Sequence, residues 1–327
     1  MSLVLSETAA FLQDQTQRFA REKTPTSHFR SVRDSENPEC FDREIWKQMA
    51  DQGLSGILIP EEFGGSNFGL SGIGVVLQEL GRTLTPSPLF ATGVIGASFL
   101  TKIGTDSQKQ KYLPEIANGN LTTCFAFEEG PRHKPIISEV TAEKKGKNYI
   151  INGKKSFVVD GGFADLIIIA AKTSKGPSLF LADKNSKGID INIAKMVDSR
   201  NSANITFSDL EVSPENILGE IDQAQDTIEE VLDISRAALA AEMLGGALEA
   251  FEITINYLKE REQFGVKIGS FQALQHRAAN MFTELELCKS CVLESLSCFD
   301  EKSNDIPRIV SLAKAKIGET FHLISNE

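Results

Sequence analysis

Cysteine, histidine, basic charge and long apolar runs are all in short supply in this chain, and each shortage narrows its function. The five cysteines are Cys40, Cys124, Cys288, Cys291 and Cys298. Cys288 and Cys291 have the spacing of a metal or redox pair, but no second such pair and no histidine cluster completes a zinc site. The surrounding "FTELELCKSCVLESLSCF" has helical periodicity, so these thiols read as helix-packing residues. His28, His133, His276 and His322 are scattered without ligand spacing, so no metal is expected. A net charge of −11 and a pI near 5.1 argue against a general nucleic-acid binder. They leave room for a local basic pocket that takes an anionic small molecule. The longest apolar run, "LIIIAA" at 166–171, falls well short of the roughly 18 residues that span a bilayer. The opening "MSLVLSETAAFLQDQTQRFAREK" lacks a basic segment followed by an apolar core and reads as an amphipathic helix. A cytoplasmic location without a membrane span is the expectation.

What is present is ordinary globular composition over 327 residues, with 41% hydrophobic and 24% charged residues. That length predicts two or three domains. Three textures follow one another. Residues 1–120 carry helical spacing: Ile45, Met49 and Leu54; Leu77, Leu80 and Leu84; Ile95, Phe99 and Ile103. Gly and Pro clusters punctuate them, as in "IPEEFGGSNFG" and "TPSP". Residues 121–222 switch to short β-branched and aromatic runs: "TTCFAFEE", "NYIINGKKSFVV", "ADLIIIAAK", "PSLFLAD", "IDINIAK" and "ANITFSDLEV". Asn152-Gly153 is a hairpin signal, and the whole predicts an antiparallel barrel or sandwich. Residues 223–327 return to helix, with one apolar face from Ile228 through Val231, Leu239, Leu248 and Ile255 to Leu258. The order helix, β, helix gives an α+β fold, mainly α, and disfavours a doubly wound sheet. Gly72-Ile73-Gly74 therefore reads as part of a helix. A phosphate loop would need a preceding strand and a third glycine where Leu77 stands.

Two features of the last zone bear on function. Gly245-Gly246 inside the long helix costs about 1 kcal/mol per glycine, which is explained by close approach of another backbone or of a ligand. In "KEREQFGVKIGSFQALQHR" the helix breaks beside Arg261 and Phe264 and restarts within a few residues. A plain helical hairpin does this, and so does a corner that holds an anion.

Several ordered motifs together resemble the acyl-CoA dehydrogenase family over nearly the whole chain. They are "LSGILIPEEFGGSNFG", "YIINGKKSFV" followed by "ADLIIIAA", "ANITFSDLEVSPENILG", "LDISRAALAAEMLGGALEA" and "LKEREQFGVKIGSFQALQHRAANM". The resemblance implies an N-terminal helical domain, a middle β domain and a C-terminal four-helix bundle, assembled as a tetramer. It implies FAD, an acyl-CoA substrate, an electron-transfer flavoprotein or similar acceptor, and a place in fatty acid metabolism. The family reaction takes the proton α to the thioester carbonyl while a hydride leaves the β carbon for flavin N5, which suits a positioned carboxylate base. Carried over residue by residue, Arg261 matches the arginine on the FAD pyrophosphate across a subunit interface, a role suited to a planar, always-charged guanidinium. Gln263, Phe264 and Gln272 match neighbouring FAD contacts, and Phe127, Glu128, Phe157 and Val159 fall on the flavin-facing β segment. Asp233 and Arg236 match positions lining the acyl-CoA site. Taken alone, Arg261 also reads as a solvated helix-end cation, and Asp233/Arg236 as a surface ion pair.

The chain departs from the family pattern in three places. Glu128 stands where the family has threonine and Gly130 where it has proline. A buried carboxylate there is expensive unless paired or protonated, and Arg132, His133 and Lys134 lie close in sequence. Phe157 replaces a tryptophan, and Val159 replaces a hydroxyl residue. The usual base position lies beyond Glu327, which leaves the bundle's last helices apparently absent. The alternative position beside Arg236 holds Ser235, so the catalytic residue is unassigned. These changes resemble the small subunits of heteromeric acyl-CoA dehydrogenases. A catalytic dehydrogenase, a non-catalytic partner subunit and a flavin-free CoA-ester-binding scaffold all remain open, as does homo- or hetero-oligomer assembly as a dimer of dimers.

Overall fold

The computed structural model describes residues 7–35, 37–134, 137 and 139–327, and of Lys195 the backbone alone. Its helices are α1 (Glu7–Lys23), α2 (Thr26–Asp34), α3 (Arg43–Asp51), α4 (Gly69–Arg82), α5 (Ala97–Ile103), α6 (Asp106–Ala117), α7 (Gln225–Glu260), α8 (Gln272–Asp300) and α9 (Ile306–Asn326). Its strands are β1 (Thr123–Ala126), β2 (Thr141–Lys145), β3 (Asn148–Val159), β4 (Leu166–Lys172), β5 (Pro177–Asp183), β6 (Ile189–Lys195), β7 (Asn201–Val212), β8 (Ile217–Leu218), β9 (Glu262–Gln263) and β10 (Val266–Lys267). Two compact units result. A sheet unit takes residues 30–67 and 86–232; a helical unit takes the chain up to Phe29, 68–85 and 233–327. Among the described residues no helix is long and apolar enough to cross a membrane.

In the sheet unit the strands follow the order β6-β7-β3-β2-β4-β5-β8, with β1 against β4. Most pairings are antiparallel; β1 with β4 and β2 with β4 are parallel. β4 is buried along Leu166–Ala171, as its unbroken apolar run requires of a strand covered on both faces. Ile151, Val158, Ile167, Phe180, Ile205 and Phe207 lie in the core behind it. Two helices of this unit begin on clear side-chain caps. Asp42 accepts from the amides of Glu44 and Ile45 at the head of α3. Thr105 and Gln108 form a reciprocal capping box on α6. Gln108 then donates its amide to the carbonyls of Glu215 and Ile217, both at 2.9 Å, which fixes the exit from the sheet.

The Asn152-Gly153 pair does not make the hairpin. The turn joining β2 to β3 is Gly146-Lys147, where Lys145 faces Asn148 and Gly146 has φ +65°. Asn152-Gly153 lies inside β3 at a shift of register against β7. Gly153 takes φ +130° there, and a Cβ would sit 2.9 Å from the Val140 Cα. The glycine is needed for a different reason: Val140 approaches Gly153 closely, and the extra residue of the register shift falls opposite it on β7, where Asp209 has φ +52°.

In the helical unit α4 starts on a borrowed cap. Its own N-cap residue, Phe68, offers no side-chain acceptor. Asp300, at the end of α8, instead accepts from the amides of Leu70 and Ser71 at 3.1 and 3.2 Å and from the Ser71 hydroxyl at 2.7 Å. The costly glycines are packing glycines. A Cβ on Gly245 would stand 1.8 Å from the carbonyl oxygen of Gln78 on α4, and one on Gly246 would be 2.9 Å from the Phe321 ring on α9. Gly72 and Gly74 lie within α4, and the Leu296 side chain fills the space beside Gly74. Arg82 locks the same crossing, 3.1 Å from both Glu249 and Glu252. Cys288 and Cys298 face inward from α8, and burial pushes the Cys298 thiol up to about 11. Such thiols stay protonated and unreactive.

Candidate functional site

The corner after α7 is built by backbone geometry. α7 ends at Glu260, and β9 and β10 pair as a two-residue hairpin, Gln263 opposite Val266. Phe264 and Gly265 fill its turn, with φ +55° and +80°. Two consecutive positive φ values match the twist of a tight hairpin and favour Asn or Gly. A phenylalanine there is strained by about 1–2 kcal/mol. Its ring gains no burial in exchange, being 93% exposed and touching Phe271 edge-on at 6.3 Å. The amide of Ile268 donates to the Arg261 carbonyl at 2.9 Å, and Lys267 donates to the Glu260 carbonyl, which closes the corner. Gln263 turns its side-chain amide to the Glu262 carbonyl. Gln272 opens α8, exposed. The Arg261 guanidinium is exposed and makes no ion pair among the described residues. Arg261, Gln263, Phe264 and Gln272 thus share one exposed corner.

Asp233 and Arg236 lie elsewhere on α7. Arg236 donates to Asp233 at 2.6 Å, with Asp233 buried and Arg236 half exposed. Ser235 between them is buried. The rise of an α-helix separates Arg236 from Glu260 by about 36 Å, so one helix carries two sites far apart.

The third group belongs to the sheet unit. Phe127 is buried, stacked on Phe125 at 5.4 Å. Its carbonyl accepts from Lys155 Nζ at 2.9 Å. The Glu128 carbonyl accepts from the Ser156 amide at 2.7 Å, which holds it beside β3. The Glu128 carboxylate meets His133 Nδ1 at 2.6 Å through Oε1, while Oε2 is buried with no hydrogen-bond partner among the described residues. Of the basic residues adjacent in sequence, His133 is thus the one that pairs with it, and Lys134 turns to Glu139. A second register shift in β3, between Lys155 and Val158, sends Phe157 outward, 46% exposed at φ +51°. Val159 is half-buried and pairs with Ser202.

Sequence reasoning passed over the pair beneath this group. Lys155 and Glu129 are 3.0 Å apart, with side-chain exposures of 0% and 3%. Strand parity was the available signal: Lys155 shares the inward-facing parity of Tyr149 and Ile151 on β3. Burial lowers the Lys155 pKa to about 8, although Glu129 opposes the shift.

Comparison with known proteins matches the chain in three stretches. Residues 6–120 match the acyl-CoA dehydrogenase N-terminal domain, 132–210 the middle domain and 225–327 the C-terminal domain. The mitochondrial isovaleryl-CoA dehydrogenase of Pongo abelii is 32% identical over 316 residues, which is 90% of this chain and 70% of that protein. A chain of the Tcur3481-Tcur3483 steroid ACAD is 30% identical with a TM-score of 0.87, covering 97% of this chain and 84% of its own. A chain from the structure of the electron transferring flavoprotein of Acidaminococcus fermentans is 29% identical with a TM-score of 0.90, covering 100% and 87%. The motifs, the fold and these matches agree: the chain belongs to the acyl-CoA dehydrogenase family of oxidoreductases.

Proposed function

We propose that this chain binds FAD and takes part in the α,β-dehydrogenation of an acyl-CoA thioester, within an oligomer in which each copy's corner reaches a neighbour's cofactor. The observation that carries this reading is the separation on α7. The exposed Arg261–Phe264 corner stands about 36 Å along the helix from Asp233 and Arg236, so the two sets serve different copies of the site. The residues present fit the cofactor. Arg261 offers an exposed charged fork with no ion pair among the described residues, matched to a pyrophosphate. Phe264 and Phe157 offer exposed rings held outward at positive φ. FAD, when bound, supplies a hydride acceptor. The chain's own residues bind and orient: Arg261, Gln263, Phe264 and Gln272 from the helical unit, and Phe127, Glu128, Phe157 and Val159 from the sheet unit. Asp233 and Arg236 hold the CoA ester. Val159 lacks a hydroxyl, so its contribution to flavin is made by backbone groups and apolar contact. The domains run 1–120, 121–222 and 223–327, the assembly is a dimer of dimers in the cytoplasm, and an electron-transfer flavoprotein or similar protein takes the electrons.

A second reading has its own support. The residue beside Arg236 is a buried serine, and the adjacent carboxylate of Asp233 is already engaged by Arg236. Neither is a free base, which favours a partner subunit in a heteromeric enzyme. Flavin absorption of the purified protein tests both. Yellow protein as purified supports the first. Colourless protein that gains flavin only with a second subunit supports the second. Arg261→Ala should lower flavin content or oligomer mass; if both stay unchanged, the corner does not hold cofactor.

A further inference from the structure

Residues 127–129 and 139–140 are gathered around one buried ion pair, Lys155 with Glu129. Lys155 Nζ donates to the Phe127 carbonyl at 2.9 Å and to Glu129 Oε1 at 3.0 Å. The same carboxylate accepts the amides of Glu139 and Val140, each at 2.9 Å. The start of the loop and its end, 11 residues on, therefore meet at Glu129 and Lys155. Two weaker bridges cross the loop at the surface, His133 to Glu128 and Lys134 to Glu139. Lys155 sits on β3 two residues before Phe157, and the intervening Ser156 amide holds the Glu128 carbonyl.

A buried ion pair is a poor way to gain stability, because desolvation cancels most of the attraction. Apolar residues of the same volume would pack this interior as well. They would not collect a carbonyl and, through Glu129, two amides from separate ends of a loop. The arrangement makes sense as a means of fixing residues 127–129 and 139–140 against β3. We propose that Lys155 is a positioning residue: with Glu129 it ties residues 127–129 and 139–140 to β3 and so sets where Glu128 and Phe157 stand towards the flavin. This rests on the FAD reading given above. The charged groups around the ammonium are Glu129, Glu128 and Glu139. Glutamine is no substitute for Glu129. Glu129 accepts three donors, whereas an amide has one acceptor oxygen and presents its own N–H groups to the rest.

The test uses the full chain, with two readouts. Amide exchange at Glu139 and Val140 reports the loop without any flavin. Fluorescence titration of flavin-stripped protein with FAD reports its consequence. In Lys155→Met and Glu129→Gln, protection at Glu139 and Val140 should fall about tenfold or more, with β4 and β5 unchanged. FAD affinity should fall by a similar factor. The double variant Lys155→Met/Glu129→Leu restores an apolar interior and should fold even where a single variant does not, still with unprotected amides and weakened FAD binding. Undiminished protection at Glu139 and Val140 in the variants overturns the loop tie. Lost protection with unchanged FAD affinity overturns the positioning role. Failure of the unmodified protein to bind FAD overturns the FAD reading and the role built on it, while the exchange measurement still decides the tie itself.

Discussion

Replacing Lys155 by methionine should remove a rise in stability that the natural protein shows at alkaline pH. The lysine has no exposed side-chain surface, and burial outweighs the pull of Glu129, so its pKa falls from the ordinary 10.5 to about 8. Between these values the unfolded chain keeps the proton and the folded chain gives it up. Stability rises with pH wherever the unfolded state binds more protons. The cost of burying a charge is therefore fully present below pH 8 and is relieved as the pH climbs towards 10.5. At about 1.4 kcal/mol per pH unit, the relief amounts to about 3 kcal/mol. Urea unfolding at a series of pH values measures it. Trp46 is the single tryptophan, lies 2% exposed in the same unit as Lys155, and gives the signal. Tyrosines and other lysines titrate in this range too, so the informative quantity is the natural protein minus Lys155→Met. That difference should grow in favour of the natural protein from neutral pH to pH 10.5. A flat difference would show that burial does not govern this lysine. A falling one would show that the Glu129 attraction wins, with the folded pKa above the ordinary value.

Three further outcomes follow from the helical unit. Asp300→Ala strips α4 of its cap and should cost about 1–2 kcal/mol, seen as a lower midpoint in denaturation followed by circular dichroism. Gly245→Ala drives a methyl into the Gln78 carbonyl, 1.8 Å from the ideal Cβ position, and should cost about 1–3 kcal/mol or more by prising α4 from α7; a stability equal to the natural protein would mean the helices sit farther apart than described. Phe264→Asn suits the positive φ of the hairpin, so unfolding should shift upward by up to about 1 kcal/mol while flavin content or oligomer mass drops. A loss of stability in the unassembled chain would remove the case for strain at that turn.

The elements legible in the sequence were those fixed by short-range pattern. The apolar face from Ile228 to Leu258 became the 36-residue α7, and all six β-branched runs became strands of one sheet. The fold class and the family could be read for that reason, together with the motifs. What escaped depends on partners distant in sequence. Nothing near Gly69 announces that its helix is capped by Asp300, 230 residues away. Lys155 looked like one more lysine in "NGKKSFV" until β3 turned it inward and brought Glu129 against it. β2, five residues with a mostly exposed surface, carries too little apolar alternation to declare itself. Asn152-Gly153 was misread because a strand glycine that admits a close neighbour, here Val140, looks in sequence like a turn glycine.

The two exposed aromatics carry the argument beyond family likeness. Phe157 and Phe264 belong to different units, yet each is a large ring held in solvent at positive φ, at +51° and +55°. Local propensity opposes both, since a left-handed backbone favours glycine or asparagine. Intrachain burial compensates neither, since about half of one ring and nearly all of the other remain exposed. Rings oriented outward with this much surface uncovered are suited to contacts outside the chain. The neighbours narrow the kind of contact. Phe264 stands with an exposed guanidinium, Arg261, that makes no ion pair among the described residues. Phe157 stands two residues from a loop closed by a buried ion pair. Each setting stands by itself: an exposed ring beside an exposed cation suits an anionic partner, and an exposed ring beside a fixed polar edge suits a flat one.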